Sequence, residues 1–530
     1  MREGNEGHHT PDRDDDPRRA AGVGEGMPSD STADPARMGT TLGIEADAAV
    51  AAGTVGETKR LAVNVLAGGG VNVIKILLQL VMLPLMAHLL GPVEFGIYAL
   101  ALPTVAFFMT LADGGLGASL ARESLDSRDV WSTAFWLIMA VGIGLTVAMT
   151  GWGIVLAWLS QEPRVKGVMA LLSLSFLFVT ISVVPSARLT RDRRLAMISV
   201  ADLAGNLVGA AVGVALAASG AGAMSLAAQY ATLSLVRACV LNAVAFMRPS
   251  LVFRISILKS HLSTGSSLMS SRLVEFAGRL VENLVFGRLF GPAALGTYTF
   301  ANQVPRFVCE AASGPLWGAL YAYALREDDE QIRQTHAKLV YLLALLLAPV
   351  ALLAAATGPG LIYLILGPTW EEAGKVMAVL IPFYALNVIA TLSGAVLLAR
   401  GAGWAIFWLL LFLVVGRTVA VLPGPWVGSV GVAWWIGLAQ VVYTVLTLVV
   451  LARNGMPSTN RFVRGIRGPF AAALVAGLGC YAVVYSAPTD ITRISLALIV
   501  GAGIYVLLLI LLEGSRLRDD VAGMMRLIRR

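Results

Sequence analysis

The chain has 530 residues, 57% of them hydrophobic and only 14% charged, with a formal net charge of +7 and a mean hydropathy of +0.75. A soluble protein carries about a quarter charged residues, so that class is excluded, and the excess of Lys and Arg reads as membrane-flanking loops rather than as a nucleic-acid footprint. Cys239, Cys309 and Cys480 all lie in apolar runs without paired spacing or histidine neighbours, so neither a disulfide framework nor a metal site is suggested.

Residues 1–60, with stretches such as "TPDRDDDPRRAAGVGEGMPSD", hold no apolar run long enough for a core. They read as a disordered cytoplasmic tail, and without an apolar segment behind a basic start they are not a signal peptide. Apolar runs of about 20 residues then follow one another almost to Leu512, the pattern of serial membrane helices and not of a β-barrel. The fold class expected is an all-α polytopic membrane protein of about 14 transmembrane helices. The first six spans are placed near 66–90, 95–118, 131–158, 166–187, 196–218 and 222–247. The next six lie near 262–289, 293–324, 338–366, 373–399, 404–422 and 427–451, and two more near 468–486 and 493–513. Residues 514–530, ending "MMRLIRR", form a basic cytoplasmic tail suited to anionic lipid. With the N-terminus in the cytoplasm, about 24 Lys and Arg fall in inside loops and about five outside, so both termini are expected in the cytoplasm.

The segment "LLGPVEFGIYALA" (89–101) is echoed by "LFGPAALGTYTFA" (289–301). At an offset of 200, Gly91-Pro92 matches Gly291-Pro292, and Gly96-x-Tyr98 matches Gly296-x-Tyr298. "VMALL" (168–172) is echoed by "VMAVL" (376–380) at a similar offset. Parallel repeats of this kind build transporters from two halves with the substrate path between them. Two pseudo-symmetric six-helix lobes, 61–255 and 256–455, are therefore expected, with the two extra helices in 456–513 outside the duplication. The repeated phrase itself reads as structural: Gly-Pro ends one helix and starts the next, and the second glycine lets helices approach closely.

The stretch "LLGPVEFGIYALALPTVAFFMTLADGGLGASLAR" resembles an early-span signature of the polysaccharide flippases, within the multidrug/oligosaccharidyl-lipid/polysaccharide exporter superfamily. "LFGPAALGTYTFANQVPRFVCEAASGPLWGALYAYALR" is similar to its second-half counterpart, and "LILGPTWEEAGKVMAVLIPFYAL" to the segment opening the tenth span. The resemblance covers about residues 60–455. It implies a two-lobed helical fold that moves a lipid-linked oligosaccharide across the inner membrane by alternating access. It further implies polysaccharide polymerase or export proteins as partners, and it does not name the sugar.

Charges inside spans are costly, roughly 2.5–3.5 kcal/mol each at a helix centre, and face a cavity or a partner. In "SRLVEFAGRLVEN", Arg272, Glu275, Arg279 and Glu282 fall within an arc of about 80° at 100° per residue. The offset of 200 maps Asn72, Lys75 and Gln79 of the first span onto Arg272, Glu275 and Arg279, so both helices are expected to line one central cavity. Asn302, Gln303, Arg306 and Glu310 of the eighth span add to that lining. Their counterparts Leu102, Pro103, Ala106 and Thr110 are mostly apolar.

For a diphosphate-linked glycan, Lys75, Arg272, Arg279 and Arg306 are the candidate phosphate partners, because arginine gives bidentate donors and lysine a compact cation. Asn72, Gln79, Asn302 and Gln303 complete the candidate substrate set, and the prenyl tail stays in the bilayer among membrane lipids. Glu275, Glu282 and Glu310 are the candidates for a coupling proton or sodium ion. The same stripe also reads as self-neutralised i,i+3 and i,i+4 pairs holding helices together. Asp202 with Asn206, Arg237 and Arg417 read as packing or snorkelling groups.

A flippase for an undecaprenyl-diphosphate-linked repeat unit is thus the leading reading, with a lipid II flippase or a cation-coupled drug exporter as alternatives in the same superfamily. A membrane-embedded polymerase or ligase needs a sizeable extramembrane domain, and none is seen. No Walker-type phosphate-binding loop occurs, so the chain is not expected to hydrolyse ATP; the expectation is a transporter that is not an enzyme and carries no cofactor.

Overall fold

Inside a bilayer each backbone N–H and C=O must find its partner within the chain, which leaves helices as the solution for long apolar runs. The computed structural model describes residues 71, 74, 75, 77–111, 120, 128–253, 266–456, 459–485 and 490–528. Among the described residues there are helices, turns and no strand. The helices are α1 (Leu77–Leu111), α2 (Arg128–Ser160), α3 (Val165–Arg191), α4 (Leu195–Ala218), α5 (Met224–Ala245) and α6 (Ser266–Ala324). They continue as α7 (Asp329–Leu366), α8 (Glu371–Ala399), α9 (Gly403–Val421), α10 (Gly424–Arg453), α11 (Thr459–Tyr485) and α12 (Ile491–Ile528). Eleven of these are long and apolar enough to cross a membrane; α6, which carries the charged stripe, is the exception. The expected tail at 1–60 and Asn72 lie outside the described residues, and the last expected span and basic tail run as one helix, α12.

The expectation of 14 spans cut both α1 and α6 in two at the repeated Gly-Pro. In the structure that division falls at a left-handed glycine, Gly91 with φ +71° and Gly291 with φ +83°; in α6 two helices meet there and lie side by side, Tyr298 after the glycine reaching Glu282 before it. A side chain at such a φ meets the following carbonyl, so glycine is needed there. The proline that follows restarts the helix where no donor is required.

The chain from Asn64 to Arg530 is one compact unit. Within it α3 packs on α2 and α5, and α4 on α5. Around α8 gather α6, α7 and α10; α9 lies against α6 and α10. Helices α11 and α12 pack together and cover α7. There Ala472, Ala473 and Ala476 meet Ala348, and Tyr505 donates to the Leu345 carbonyl at 2.8 Å. With no hydrophobic drive between helices in lipid, small residues that allow close approach do this work.

The repeated phrase is where α1 and α6 touch. A Cβ on Gly96 would lie 1.8 Å from the Pro292 carbonyl oxygen, and one on Gly296 would lie 2.0 Å from that of Pro92. Beside this crossing Trp370, 1% exposed, packs its ring against Phe95 and Phe300 at centroid distances of 5.8 and 5.1 Å. Asn283 of α6 donates to the Ala99 carbonyl of α1 at 2.8 Å. On the same end Glu94 accepts from Arg164 and, at 2.9 Å, from the backbone of Ala223, tying α1 to the starts of α3 and α5.

Candidate functional site

Beyond the Gly96–Gly296 crossing the helices part around a cavity of about 690 Å³, walled by α1, α6, α8, α9 and α10. Its α1 wall is apolar, with Leu102, Pro103 and Ala106. Its α6 wall is polar: Glu275, Arg279 and Glu282 come from before the bend, and Asn302, Gln303, Arg306 and Glu310 from after it. The lining also includes Trp317 of α6 and Leu398 and Gly403 at the facing ends of α8 and α9. The asymmetry follows from the sequence, since the positions that are Asn302, Gln303 and Arg306 in the second repeat are Leu102, Pro103 and Ala106 in the first.

The cavity's three arginines each face a glutamate. Arg279 donates to Glu275 one helical turn away, and Arg306 Nε lies 3.7 Å from Glu310 Oε1. The third pair spans two helices. Arg417 of α9 reaches Glu282 of α6 with both arms of its guanidinium, Nε to Oε2 at 2.8 Å and Nη2 to Oε1 at 2.9 Å. Tyr298 also donates its hydroxyl to Glu282, which is 4% exposed. Arg417 Nη1 donates to Tyr384 Oη at 3.1 Å, and Tyr384 donates in turn to Asn302 Oδ1. This chain knits α6, α8 and α9 at the depth of the cavity. Bidentate arginine–carboxylate contacts of this kind are the strong, directional ones.

Seven of the sequence-predicted residues therefore share one space: Glu275, Arg279, Glu282, Asn302, Gln303, Arg306 and Glu310. Lys75 and Gln79 do not join them. Lys75 Nζ is held by Asp202 Oδ2 at 3.1 Å, and the other oxygen of Asp202 accepts from Arg237 Nε at 2.7 Å. Arg237 also donates to Ser186 Oγ at 3.2 Å. A carboxylate on α4 thus draws Lys75 to its own group of helices, and Gln79 is exposed outside the lining. Of Arg272 the structure describes the backbone, within α6, and not the side chain.

Of the groups read as packing or snorkelling, Asp202 and Arg237 are packed between helices as an ion pair, and Arg417 is a wall of the cavity. Arg417 has no polar counterpart in the first repeat. Its one sequence signal was a lone charge amid "LLLFLVVGRTVAV", which lipid cannot accommodate cheaply and which therefore needs a partner. Glu282, read as an ion-coupling carboxylate, has its two oxygens occupied by Arg417 and Tyr298.

A family model described as "Polysaccharide biosynthesis protein" matches residues 85–375. The succinoglycan biosynthesis transport protein ExoT of Rhizobium meliloti (strain 1021) is 25% identical over 448 residues, covering 83% of this chain and 91% of that relative. The lipopolysaccharide biosynthesis protein WzxC of Escherichia coli (strain K12) is 23% identical over 421 residues, covering 78% of this chain and 85% of that one. Among solved structures, the inward closed conformation of the lipid II flippase MurJ superposes with a TM-score of 0.68 at 11% identity, over 85% of this chain and all of that one. That likeness is one of fold.

Proposed function

This chain belongs to the polysaccharide biosynthesis protein family, and we propose that it is an inner-membrane flippase carrying an undecaprenyl-diphosphate-linked oligosaccharide from the cytoplasmic to the periplasmic leaflet. The observation that carries this reading is the cavity walled by α1, α6, α8, α9 and α10, polar on its α6 wall and apolar on its α1 wall, beside the close crossing of α1 and α6 at Gly96 and Gly296. With both termini assigned to the cytoplasm by the excess of Lys and Arg in the loops on that side, the Gly96–Gly296 crossing lies toward the periplasm and the cavity toward the side where the lipid-linked precursor is made. Alternating access then requires the repeated Gly-Pro-x-x-x-Gly contact to open while the inner ends approach each other.

Arg279 and Arg306 are the cations offered to the diphosphate, each as a planar fork of donors matched to phosphate oxygens. Their carboxylate partners Glu275 and Glu310 are the groups offered to a coupling proton or sodium ion. The diphosphate and Glu275 compete for the same guanidinium, so loading of the cavity is tied to the state of that carboxylate. Glu282 and Arg417 hold the frame in which this exchange occurs. The glycan leaves the cavity on the periplasmic side, where a polymerase or export protein receives it.

The test is surface polysaccharide output from cells carrying Arg279→Ala, Arg306→Ala or both. Output should fall to near background in the double variant while the protein inserts at the normal level. Unchanged output in both single variants and in the double would reject the assignment.

A further inference from the structure

We infer that this cavity selects its cargo by the glycan, through an uncharged hydrogen-bonding subsite of Gln303, Asn387 and Gln440 with Trp317 as a stacking face, and that it takes neutral rather than acidic sugars. This rests on the flippase reading above and adds what that reading leaves open.

The first ground is charge. The lining holds three arginines and three glutamates, each arginine facing a glutamate. The walls are neutral as a set, so nothing in them attracts a polyanionic glycan beyond the two phosphates that can displace Glu275 or Glu310. An added uronate would meet carboxylates already in place, and like charges in a site of low dielectric repel strongly.

The second ground is a set of polar atoms with no partner. Gln303 Oε1 on α6, Asn387 Oδ1 on α8 and Gln440 Nε2 on α10 are buried without a hydrogen bond, and all three residues line the cavity. Gln440 is 4% exposed. An orphaned buried polar atom is unfavourable, and native proteins keep few of them without a ligand or water to meet them. Here three helices bring three amides to one space. Two of the orphans are acceptors and one is a donor. A phosphate or carboxylate has no proton for the two acceptors, whereas a sugar hydroxyl gives a proton and receives one.

The third ground is an aromatic face. Trp317 lines the cavity about 16 Å along α6 from Arg306, three turns farther from the Gly96–Gly296 crossing. Its ring stacks on Tyr321 at 5.6 Å with 12° between the planes, which fixes its orientation. The C–H face of a pyranose is apolar and weakly positive, the complement of the negative face of an indole ring. Along α6 Gln303 lies one turn to the crossing side of Arg306 and Trp317 three turns beyond it, so a glycan on a diphosphate held at Arg306 has the amides at its base and this ring farther out.

The test uses the full-length protein in lipid nanodiscs and three probes: decyl diphosphate, a neutral disaccharide linked to decyl diphosphate, and the same disaccharide with one ring oxidised to a uronic acid. Calorimetric binding should be about tenfold or more tighter for the neutral glycan than for the sugar-free probe, and the uronic acid should cancel most of that gain. Asn387→Leu and Gln440→Leu should each weaken the glycan-bearing probe by about tenfold and leave decyl diphosphate unchanged. The same two variants should melt at a temperature no lower than the parent, since each removes an orphaned polar group; a merely structural role would lower it. Trp317→Phe should keep more glycan affinity than Trp317→Ala. Equal binding of sugar-free and glycosylated probes, equal binding of neutral and acidic glycans, or amide variants that weaken all probes alike would overturn the inference. Movement of the probes across liposomes separates this from the parent reading: no movement of either diphosphate lipid sinks the flippase, and equal movement of both sinks the glycan subsite alone.

Discussion

Gly96 and Gly296, equivalent residues of the two repeats, lie against each other with their backbones in contact: each backbone nitrogen is within 3.0 Å of where the other's Cβ would stand. The phrase that the chain writes twice is therefore one contact seen from both sides, with Pro92 and Pro292 carbonyls filling the space a side chain would need.

Gly96→Ala or Gly296→Ala should separate α1 from α6 at this end. Overpacking costs about 1–3 kcal/mol, which is roughly five- to 150-fold in the population of the closed arrangement. Spin labels at Val93 and Ala293, placed in a cysteine-free background, should report a longer distance in either variant. An unchanged distance distribution would show that the crossing tolerates a methyl group.

Glu282 and Arg417 are a buried pair from different helices, and breaking such a pair leaves an uncompensated charge. Arg417→Ala should destabilise the protein by about 3–5 kcal/mol, and Glu282→Leu combined with Arg417→Met should recover most of that loss. Thermal unfolding in detergent measures both. A single variant that melts like the parent would mean that the carboxylate finds water or another partner.

Lys75, Asp202 and Arg237 form a cluster in which one carboxylate serves two cations. Removing Asp202 strands both, whereas removing Lys75 leaves Asp202 still held by Arg237. Asp202→Ala should therefore lower the melting temperature more than Lys75→Met. The reverse order would show that Lys75 acts elsewhere.

Glu275→Gln keeps the shape of the residue and removes the charge that Arg279 holds. Transport in vesicles should lose most of its response to an imposed proton or sodium gradient, while binding of decyl diphosphate is kept or strengthened because Arg279 is no longer shared. A variant with the parent's gradient response would remove Glu275 from coupling.

In the loop before α3, the hydrogen bond from Arg164 holds the Glu162 carboxyl below the usual carboxylate range. A depressed carboxylate adds stability above its unfolded pKa of about 4 and loses it as pH falls through the folded value. Because Arg164 is half exposed and also holds Glu94, the effect is small but directional. Glu162→Gln should lower stability slightly at neutral pH, leave it unchanged at the acid extreme and so flatten the fall between them, as thermal unfolding measured against pH would report.

The helical class and the charged lining of the cavity were legible in the chain because lipid imposes simple rules. Apolar runs of span length become helices, and charges spaced 3, 4 and 3 apart on one face cannot point at hydrocarbon. Arg279, Glu275, Arg306 and Glu310 followed from that argument and share the cavity. The repeat also predicted that α1 and α6 would be equivalent. It misplaced Lys75 for the same reason, since equivalence of backbones does not carry equivalence of partners. Gly91 and Gly291 read as the ends of separate spans, and both hold the left-handed backbone, the one in α6 where two helices meet.

What the sequence determined by itself was local: where helices form, which face of each is polar, and which segments are copies. Only the packed structure decided which charges meet. Asp202 takes Lys75 from a distance of 127 residues, and Glu282 takes Arg417 from 135. A helix's own period states which way a side chain points along its circumference. The identity of the helix standing opposite depends on how all of them are arranged side by side, and the repeat that marks Gly96 and Gly296 as equivalent does not say that they touch; their contact is set by that arrangement.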